Sequence, residues 1–442
     1  MERQDLRFDT LVSTLQNQRY KAYTLHNYRD LPHVQRLTEE QHFALDVVGR
    51  ILPFRTNRYV VEELIDWDNI PYDPLFLLTF PQREMLLPHH FDEMAAVVRS
   101  GAPREKVREV ANRIRWELNP HPAGQVEYNV PSLDGEKLTD MQHKYRETVL
   151  FFPSQGQTCH AYCTFCFRWP LFVGMNELKF ANRESDFLIQ YLRRHPEVTD
   201  LIFTGGDPMV MGAKTLASYI NPLIDADIPH FTTLRIGTKA LGYWPYRFLT
   251  DPDAGELLAL LSRVIKSGKH LSIMANFNHP RELETDAARK AIIRLRETGA
   301  EIRTQSPLLA HINDRPEEWA HMWKEQVKQG CIPYYMFVAR DTGAHDYFSI
   351  PLVEAWRIFQ KAYRRTSGLS RTVRGPSMST IWGKIQILGI SEIGGEKVIA
   401  LQFLQGRQPD WVLRPFFAEY DEKAVWFDEL RPAFGEERFF FQ

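Results

Sequence analysis

The chain has 442 residues, of which 44% are hydrophobic and 25% are charged, an ordinary composition for a globular protein. The 54 basic and 56 acidic residues leave a net charge of −2. The chain therefore lacks the excess of positive charge that attracts nucleic acids and membrane surfaces. The N-terminal stretch MERQDLRFDT has no apolar signal core, and no apolar run reaches the roughly 18 residues of a membrane span, so we expect a cytoplasmic protein without a membrane or nucleic-acid partner.

Residues 1–140 are predicted to form a mainly helical N-terminal region. The stretches EEQHFALDVVGRIL and HHFDEMAAVV carry apolar residues at the period of a helix. The stretch ELNPHPAG then interrupts the chain with proline and glycine, which are typical of loops.

Residues 141–365 alternate between short β-rich runs and amphipathic helical patterns. The six runs are TVLFF, DLIFTGG, FTTLRIG, HLSIMANFN, EIRTQSPLL and PYYMFVA. The helical patterns are SDFLIQYLRRH, TLASYINPLI, AGELLALLSRVIKSG, AARKAIIRLRETG, EEWAHMWKEQVKQG and LVEAWRIFQKAYRR. Six such units predict an α/β fold, a partial (β/α)6 TIM-type barrel, because a closed barrel uses eight. A doubly wound open sheet is the alternative, and in both folds chemistry gathers at the C-terminal ends of the strands.

Residues 366–442 are predicted to form a C-terminal extension. Its stretches TVRGPSMSTIWGKIQILGI and EKVIALQFLQG indicate strands and loops that cover one end of the barrel. No tandem repeat or low-complexity segment is evident in the chain.

Three of the four cysteines, Cys159, Cys163 and Cys166, follow the first predicted strand with a C-x3-C-x2-C spacing. A structural zinc site needs four ligands, and an electron-carrying [4Fe–4S] cluster needs four cysteines. Cys331 lies 165 residues beyond Cys166, and the side chain of His160 would point away from its neighbour. Both alternatives stay open, but we favour a [4Fe–4S] cluster with three thiolate ligands and one iron open to a substrate or cofactor. Clustered cysteines also favour a reducing compartment over a disulfide framework.

An open iron has a clear chemical use beside S-adenosylmethionine (SAM). The amino and carboxylate groups of SAM chelate the iron, and an electron from the cluster breaks the C5′–S bond to give a 5′-deoxyadenosyl radical. The cysteine spacing, with Phe165 before the last cysteine, is similar to the signature of the radical SAM superfamily. The stretch FTGGDP resembles that superfamily's glycine-rich motif for the amino group of SAM, although Gly205, Gly206 and Asp207 could also form a simple turn.

A longer ordered set of motifs resembles the lysine 2,3-aminomutase family. The motifs are HKYRETVLFF, CTFCFRW, LIFTGGDP, LRIGTK, FNHP, QSPLL…IND and PYYMF. The resemblance implies a [4Fe–4S] cluster, SAM and pyridoxal 5′-phosphate (PLP), which together move an α-amino group to the β-carbon of an amino acid. It also implies an external reductant such as flavodoxin or ferredoxin and a homo-oligomer. Because no cysteine follows Cys331, the zinc site that many members build between subunits is not expected, and packing would hold the oligomer instead.

The resemblance assigns roles to individual residues. Arg168 stands where the family binds the substrate carboxylate, a task that suits a guanidinium fork. Lys144 and Tyr145 lie in the segment that binds the PLP phosphate in the family. Two arginines of that segment are replaced here by Lys144 and Thr148, although Arg146 is close by.

The PLP lysine of the family is matched by Lys384. The stretch STIWGKIQIL keeps only Gly383 and Lys384, with the following isoleucine, of a motif that carries a run of glycines, and Lys397 is a second candidate. Gln305 and Ser306 match a stretch that faces the cofactor, although roles in the core or in a turn remain open. The loss of the glycine run leaves two alternatives: a PLP-independent lyase or epimerase on the same fold, and a non-enzymatic Fe–S or zinc module.

The substrate hypothesis rests on two further arginines. Lysine-using members hold the far ammonium with two aspartates, and this chain has Arg340 and Arg374 at the matching positions. Like charges about 4 Å apart repel by roughly 4 kcal/mol at an effective dielectric near 20, which disfavours lysine. The hypothesis is therefore an acidic amino acid such as glutamate or aspartate, with Arg168 at one end and Arg340 and Arg374 at the other. The alternative is that Arg340 pairs with Asp341 and faces away.

Overall fold

The N-terminal region combines short helices with a two-stranded ribbon and packs around its own apolar core. The computed structural model of the protein describes residues 19–119, 129–139, 141–173 and 186–442. The elements of this region are β1 (Ala22–Tyr23), α1 (Glu39–Val48), β2 (Thr56–Asn57), α2 (Pro74–Thr79), α3 (Pro88–Arg99), α4 (Arg104–Glu117), β3 (Ser132–Leu133) and β4 (Glu136–Lys137). Helix α1 begins at a capping box, in which Thr38 and Gln41 satisfy each other's backbone N–H groups. The two predicted helical stretches are confirmed as α1 and α3.

One eleven-stranded sheet organises the rest of the chain. Its strands are β5 (Met141–Tyr145), β6 (Thr148–Phe151), β7 (Asp200–Phe203), β8 (Thr233–Thr238), β9 (His270–Asn276), β10 (Glu301–Leu308), β11 (Ile332–Val338), β12 (Arg374–Ser379), β13 (Gly383–Ile393), β14 (Glu396–Gly406) and β15 (Pro415–Glu419). They lie side by side in sequence order. Strands β6 to β12 are parallel, while β5 at one edge and β13 to β15 at the other are antiparallel.

The strand order decides between the two predicted folds. A doubly wound sheet reverses its order at a switch point, whereas these parallel strands follow one another without reversal. All six predicted β-rich runs are strands, and the fold is the predicted partial TIM-type barrel, left open between its antiparallel edges.

Helices follow the parallel strands and bury their apolar faces against the sheet. They are α5 (Asp186–Arg194), α6 (Ala213–Asp225), α7 (Ala240–Tyr243), α8 (Ala254–Lys266), α9 (Arg281–Glu284), α10 (Asp286–Glu297), α11 (Pro316–Lys328), α12 (His345–Phe348) and α13 (Leu352–Arg364). Alternation along β8 shows how the two faces separate: Leu234 and Ile236 are buried in the core, whereas Arg235 points to the other, concave face and pairs with Asp200 of β7. Among the helices of the described segments, none combines the length and the apolar character that crossing a bilayer requires.

The C-terminal strands extend the barrel sheet and enclose a third core. The long hairpin of β13 and β14 pairs over its whole length, with irregularities after Lys384 and Ile387. Aromatic side chains dominate this core, among them Phe403, Phe416 and Phe441. The predicted strands of the extension are confirmed, while the region boundaries near 140 and 365 stay predictions.

Candidate functional site

The three clustered cysteines lie on a loop (the cysteine loop, residues 157–168) that follows β6. All three are half-buried. Cys331 is buried immediately before β11, at the opposite end of the parallel strands from the cysteine loop. A strand of seven residues is about 23 Å long at ~3.3 Å per residue, so Cys331 is too far away to complete a four-cysteine site.

The clustered thiols need a bound metal in order to ionise. Burial raises the pKa of Cys159 well above its ordinary value, and burial raises the pKa of Cys163 to about 12. The thiolates that ligate metal therefore need the positive charge of bound metal.

The predicted glycine-rich turn (Gly205, Gly206 and Asp207) packs directly against the cysteine loop. A Cβ atom on Gly206 would lie 2.4 Å from the backbone oxygen of Thr158 and 2.5 Å from its nitrogen, so only glycine fits. Gly205 has φ +133°, which also favours glycine. The backbone N–H of Asp207 donates to the Thr158 oxygen at 2.7 Å. The turn therefore fixes the backbone just before Cys159.

The carboxylate of Asp207 is buried and satisfied by its own chain. One oxygen accepts from the Thr238 hydroxyl at 2.9 Å and from the Lys239 backbone N–H at 2.8 Å. The other accepts from the Met209 backbone N–H at 2.9 Å. The position of Asp207 beside the cysteines agrees with the motif, but its carboxylate ties the turn to the end of β8.

A buried ion pair of Lys239 and Glu282 lies beside the cysteine loop, and sequence reasoning missed it. The Lys239 amine also donates to the Asn276 carbonyl at 3.3 Å. The other oxygen of Glu282 accepts from the Asn278 backbone N–H at 2.8 Å. Against the effect of burial, the charge of Lys239 lowers the pKa of Cys163, which places the ammonium near that thiol. The motif LRIGTK, which ends at Lys239, and the motif FNHP, which precedes Glu282, were the available signal.

The N-terminal region clamps the cysteine loop through backbone groups. The Tyr162 N–H donates to the Arg55 carbonyl at 2.8 Å, and the Thr164 N–H donates to the Leu78 carbonyl at 3.0 Å. The Thr164 hydroxyl donates to the Leu77 carbonyl at 2.7 Å. These contacts had no signal in the sequence, because the two segments are far apart along the chain.

Phe165, predicted to contact a cofactor, packs edge-on against Phe348 with ring centroids 6.3 Å apart. It is half-buried among the side chains of the N-terminal core. Its ring therefore helps to close one side of the cysteine loop.

Arg168 and Arg340 lie on the same aromatic ring. Their guanidinium carbons are 5.1 Å and 5.4 Å from the centroid of Phe167. Arg168 donates to the Thr204 hydroxyl at 2.5 Å and to the Gly205 carbonyl at 3.1 Å, and burial lowers its pKa to about 10. Arg340 pairs with Asp341 at 3.5 Å, as the alternative hypothesis expected.

Lys384 and Lys144 both lie near the ring of Tyr145 in the predicted cofactor segment. Their ammonium nitrogens are 5.8 Å and 5.4 Å from the centroid of Tyr145. The Lys384 amine is also 4.1 Å from the centroid of Tyr335 and donates to Gln405 at 3.0 Å. Burial lowers the pKa of Lys384 to about 8, and burial together with the charge of Arg340 lowers that of Lys144 to about 7. We call Arg168, Arg340, Lys144 and Lys384 the cation group.

Arg374 stands apart from Arg340, contrary to the hypothesis that the two meet at one end of the substrate. Its Cα pairs with that of Tyr335, five residues before Arg340 along β11, a separation of about 16 Å at ~3.3 Å per residue. Arg374 is exposed and stacks on Tyr334, 5.3 Å from the ring centroid. Its charge contributes to the lowered pKa of Lys384, after the larger effect of burial, so it acts on the lysine from a distance.

The remaining predicted residues divide between the two faces of the sheet. Gln305 lies on β10 on the face opposite to Ser306, whose hydroxyl accepts from buried Asn278 at 2.8 Å in a core role. Thr148 donates to Asp200 at 3.2 Å. Lys397 pairs with Glu392, eight residues along β13 from Lys384, with its amine over the Tyr420 ring, and the structure does not bring it to the site.

Curated relatives of the chain carry one recurring name. A putative L-lysine 2,3-aminomutase of Aquifex aeolicus is 32% identical over 407 residues, 92% of this chain and 95% of the relative. The L-lysine 2,3-aminomutase of Acetoanaerobium sticklandii is 27% identical over 267 residues, 60% of each chain. That of Bacillus subtilis is 23% identical over 394 residues, 89% of this chain and 70% of the relative. No family model matches the chain.

Solved structures that resemble the chain are more distant. A radical SAM methyltransferase from Sphaerobacter thermophilus has a TM-score of 0.39 and 16% identity, over 63% of this chain and 91% of the other. Streptococcus suis SuiB bound to S-adenosylmethionine has a TM-score of 0.35 and 12% identity, over 62% and 56%. Likenesses this distant say nothing about the details of the site.

Proposed function

Because the chain belongs to the lysine 2,3-aminomutase family and is a radical SAM enzyme, we propose that it is a PLP-dependent 2,3-aminomutase acting on an acidic amino acid, such as glutamate or aspartate. One observation carries the substrate proposal: Arg168 and Arg340 lie on the same aromatic ring, so two carboxylates of one substrate could meet them. The half-buried guanidinium of Arg168 has a hydroxyl and a carbonyl as its hydrogen-bond partners among the described residues, rather than a carboxylate. A buried charge without a counter-charge is costly, so this position favours an anionic ligand.

Arg340 extends the same argument to a second carboxylate. Its Nε atom and the Asp341 Oδ1 atom are both buried, and neither has a hydrogen-bond partner among the described residues, so the ion pair between them is loose. Arg340 also stacks on Trp426, 5.5 Å from the ring centroid, which holds the guanidinium in place. A substrate with two carboxylates would neutralise Arg168 and Arg340 together. The second ammonium of lysine, about 4 Å from Arg340, would be repelled by roughly 4 kcal/mol at an effective dielectric near 20.

The cysteine loop supplies the site of the radical chemistry. Cys159, Cys163 and Cys166 would hold a [4Fe–4S] cluster, and the turn at Gly205 and Gly206 would present its backbone to SAM. Cluster and SAM together supply a 5′-deoxyadenosyl radical that removes a hydrogen atom from the substrate. An external reductant such as flavodoxin or ferredoxin would supply the electron, and we expect a homo-oligomer held by packing.

Lys384 is the residue that we assign to PLP. Its lowered pKa of about 8 leaves a substantial neutral fraction near physiological pH, as bonding to an aldehyde carbon requires. The rings of Tyr335 and Tyr145 form apolar walls around its amine. PLP supplies the carbonyl group that carries the migrating nitrogen. Lys144 would bind its phosphate by charge, in the place of the family's arginine.

One feature favours a PLP-independent radical SAM lyase or epimerase as the second candidate. Lys384 lies on strand β13 after the tight turn Thr380–Trp382, without the family's glycine-rich loop. Gly383 has a structural reason to be glycine, because a Cβ atom there would lie 2.3 Å from the Gln405 backbone oxygen. The single Gly-Lys match is therefore weaker support for PLP than the surroundings of the amine.

The proposal is tested with anaerobically reconstituted protein, SAM, PLP and a strong reductant. Glutamate, aspartate and lysine are offered separately, and 5′-deoxyadenosine and the β-amino acid product are measured. We expect turnover of an acidic substrate, and Arg340→Asp should lower it far more than Arg374→Asp or the surface control Arg371→Asp. Turnover of lysine at an equal or higher rate would overturn the substrate assignment, as would unchanged preference in the Arg340→Asp, Arg374→Asp double variant.

The cofactor is tested separately by absorbance. The band of lysine-bound PLP should disappear in Lys384→Ala and persist in Lys397→Ala. A wild-type protein that cleaves SAM but never develops the band would favour the PLP-independent candidate.

A further inference from the structure

Arg55 belongs to the N-terminal region, yet its side chain lies against the first clustered cysteine. Its Nη1 atom donates to the Thr158 hydroxyl at 2.7 Å and to the Cys159 carbonyl at 3.3 Å. The guanidinium carbon lies 4.9 Å from the centroid of Tyr162, whose hydroxyl shares a hydrogen bond with Thr158 at 3.0 Å. Three neighbours therefore fix one positive charge beside Cys159.

Within the described part of the chain, the hydrogen-bond partners of the Arg55 guanidinium carry no charge. Its side-chain partners are a hydroxyl and a carbonyl, and its Nε atom is buried without a hydrogen-bond partner there. Arg55 and Cys159 line the same cavity of ≈340 Å³, together with Tyr20 and Trp244. The guanidinium therefore lies beside the place where a cluster would gain an electron, and its hydrogen-bond partners there are not carboxylates.

We propose that the positive charge of Arg55 raises the reduction potential of the cluster held by Cys159, Cys163 and Cys166. Reduction adds a negative charge to the cluster, and a fixed cation nearby stabilises that charge. Net charge and hydrogen bonding around an Fe–S cluster are known determinants of its potential. The proposal requires the cluster, but it depends on neither PLP nor the identity of the substrate.

The side chain of Arg55 is separable from the anchoring of the cysteine loop. The backbone carbonyl of Arg55 accepts from Tyr162, and Leu77 and Leu78 hold Thr164. All three anchoring contacts use main-chain acceptors of the N-terminal region, so they persist when the Arg55 side chain is replaced. A change in potential without loss of iron is then the expected result of a substitution.

The test is a redox titration followed by electron paramagnetic resonance on Arg55→Gln, with iron content measured on the same samples. Glutamine keeps a hydrogen-bond donor but removes the charge. We expect unchanged iron content and a midpoint potential more negative by about 59 mV, which is a tenfold fall in the reduced-to-oxidised ratio at a fixed potential. Arg58→Gln is the matched control, because Arg58 lies three residues away and pairs with Glu62 at 2.8 Å on the surface.

An iron-replete Arg55→Gln protein with the wild-type potential would overturn the proposal, as would a shift of equal size in Arg58→Gln. Arg55→Lys, which keeps the charge on a more mobile side chain, should fall between the wild type and Arg55→Gln. If Arg55→Gln does not hold iron, Thr158→Val takes its place, since it removes the hydroxyl that fixes the guanidinium. A smaller negative shift is then expected, and an unchanged potential in iron-replete Thr158→Val would overturn the proposal instead.

Discussion

The glycine-rich turn and the cation group are neighbours that meet at Arg168, but their charges are balanced in opposite ways. In the turn, the buried carboxylate of Asp207 accepts three hydrogen bonds from its own chain. Burial raises the pKa of Asp207, and these hydrogen bonds offset part of that effect. In the cation group, burial lowers the pKa of Arg168, Lys144 and Lys384, and neighbouring positive charges add to the effect.

The difference separates scaffold from binding site. Groups that are satisfied within the chain hold the cysteine loop in one geometry whether or not a ligand is present. In the proposed function, the cation group would become electrostatically complete when anions such as carboxylates or a phosphate bind. Substitutions in the two regions should therefore have different signatures, and the following predictions run from the largest expected effect to the smallest.

The largest effect is expected at the cysteines. Replacing Cys159, Cys163 or Cys166 with Ala should abolish binding of the cluster, about four irons per chain, and with it the cleavage of SAM. Cys331→Ala is the control and should retain iron, because Cys331 is buried in the barrel core. Iron and sulfide analysis after anaerobic reconstitution measures the cluster, and the amount of 5′-deoxyadenosine formed measures SAM cleavage. A normal iron content in any of the first three variants would disprove the assignment.

Gly206→Ala should displace the cysteine loop. The added methyl group meets the backbone of Thr158, which cannot rotate away as a side chain can. We expect a loss of about 1–3 kcal/mol in the free energy of unfolding and a severe loss of SAM cleavage. Gly255→Ala is the matched control, because a Cβ atom on that helical glycine meets nothing within 4 Å, and a small gain in stability is expected. Equal behaviour of the two variants in urea unfolding would contradict the account of the turn.

Lys144→Met should stabilise the ligand-free protein, as expected for a residue held in place for binding. The pKa of Lys144 is lowered from 10.5 to about 7 by burial and by Arg340, so between these pH values the unfolded chain binds more protons than the native one. Wild-type stability therefore rises with pH through this window. The gain in Lys144→Met should be largest at pH 7 and below and vanish near pH 10.5.

Urea unfolding at several pH values checks this, with exposed Lys324→Met as the control. A Lys144→Met protein that is less stable than the wild type at pH 6.5 would show that Lys144 is paired scaffold and not part of the cation group.

The smallest effect is expected on the titration of Lys384. Its pKa of about 8 results from burial, with contributions from Arg235 and Arg374. The rate of imine formation with an aldehyde probe should rise with pH around a midpoint near 8. Arg374→Gln should move the midpoint upward by a fraction of a pH unit, whereas Arg371→Gln should leave it in place. A downward shift in Arg374→Gln would mean that Arg374 does not act on Lys384 through its charge.

Much of the fold follows from local patterns in the sequence. The six β-rich runs and their helices are visible because each strand buries one face against its helix, as Leu234 and Ile236 do. The cysteine spacing and the glycine pair locate one end of the site, since a turn after a parallel strand falls at the C-terminal edge of the sheet.

The rest depends on contacts between distant segments. Lys239 ends the motif LRIGTK, but Glu282 lies 43 residues further along the chain and belongs to none of the quoted motifs, so nothing in the sequence pairs the two. The separation of Arg340 from Arg374 follows from the register of β11 and β12, which is irregular between Tyr335 and Phe337. A sequence alignment places two residues at matching positions but does not supply the strand register that separates them.

The clamp on the cysteine loop also has a consequence for the order of events during biosynthesis. The contact from Leu77 to Thr164 spans 87 residues, and the contact from the Arg55 carbonyl to Tyr162 spans more. During synthesis, the N-terminal residues of the clamp leave the ribosome long before the cysteine loop does. The glycine-rich turn, which also contacts the loop, leaves the ribosome later still. Closing contacts over such spans requires a large part of the chain to be collapsed first. The cysteine loop is therefore expected to reach its final geometry only after the N-terminal region and the barrel have come together.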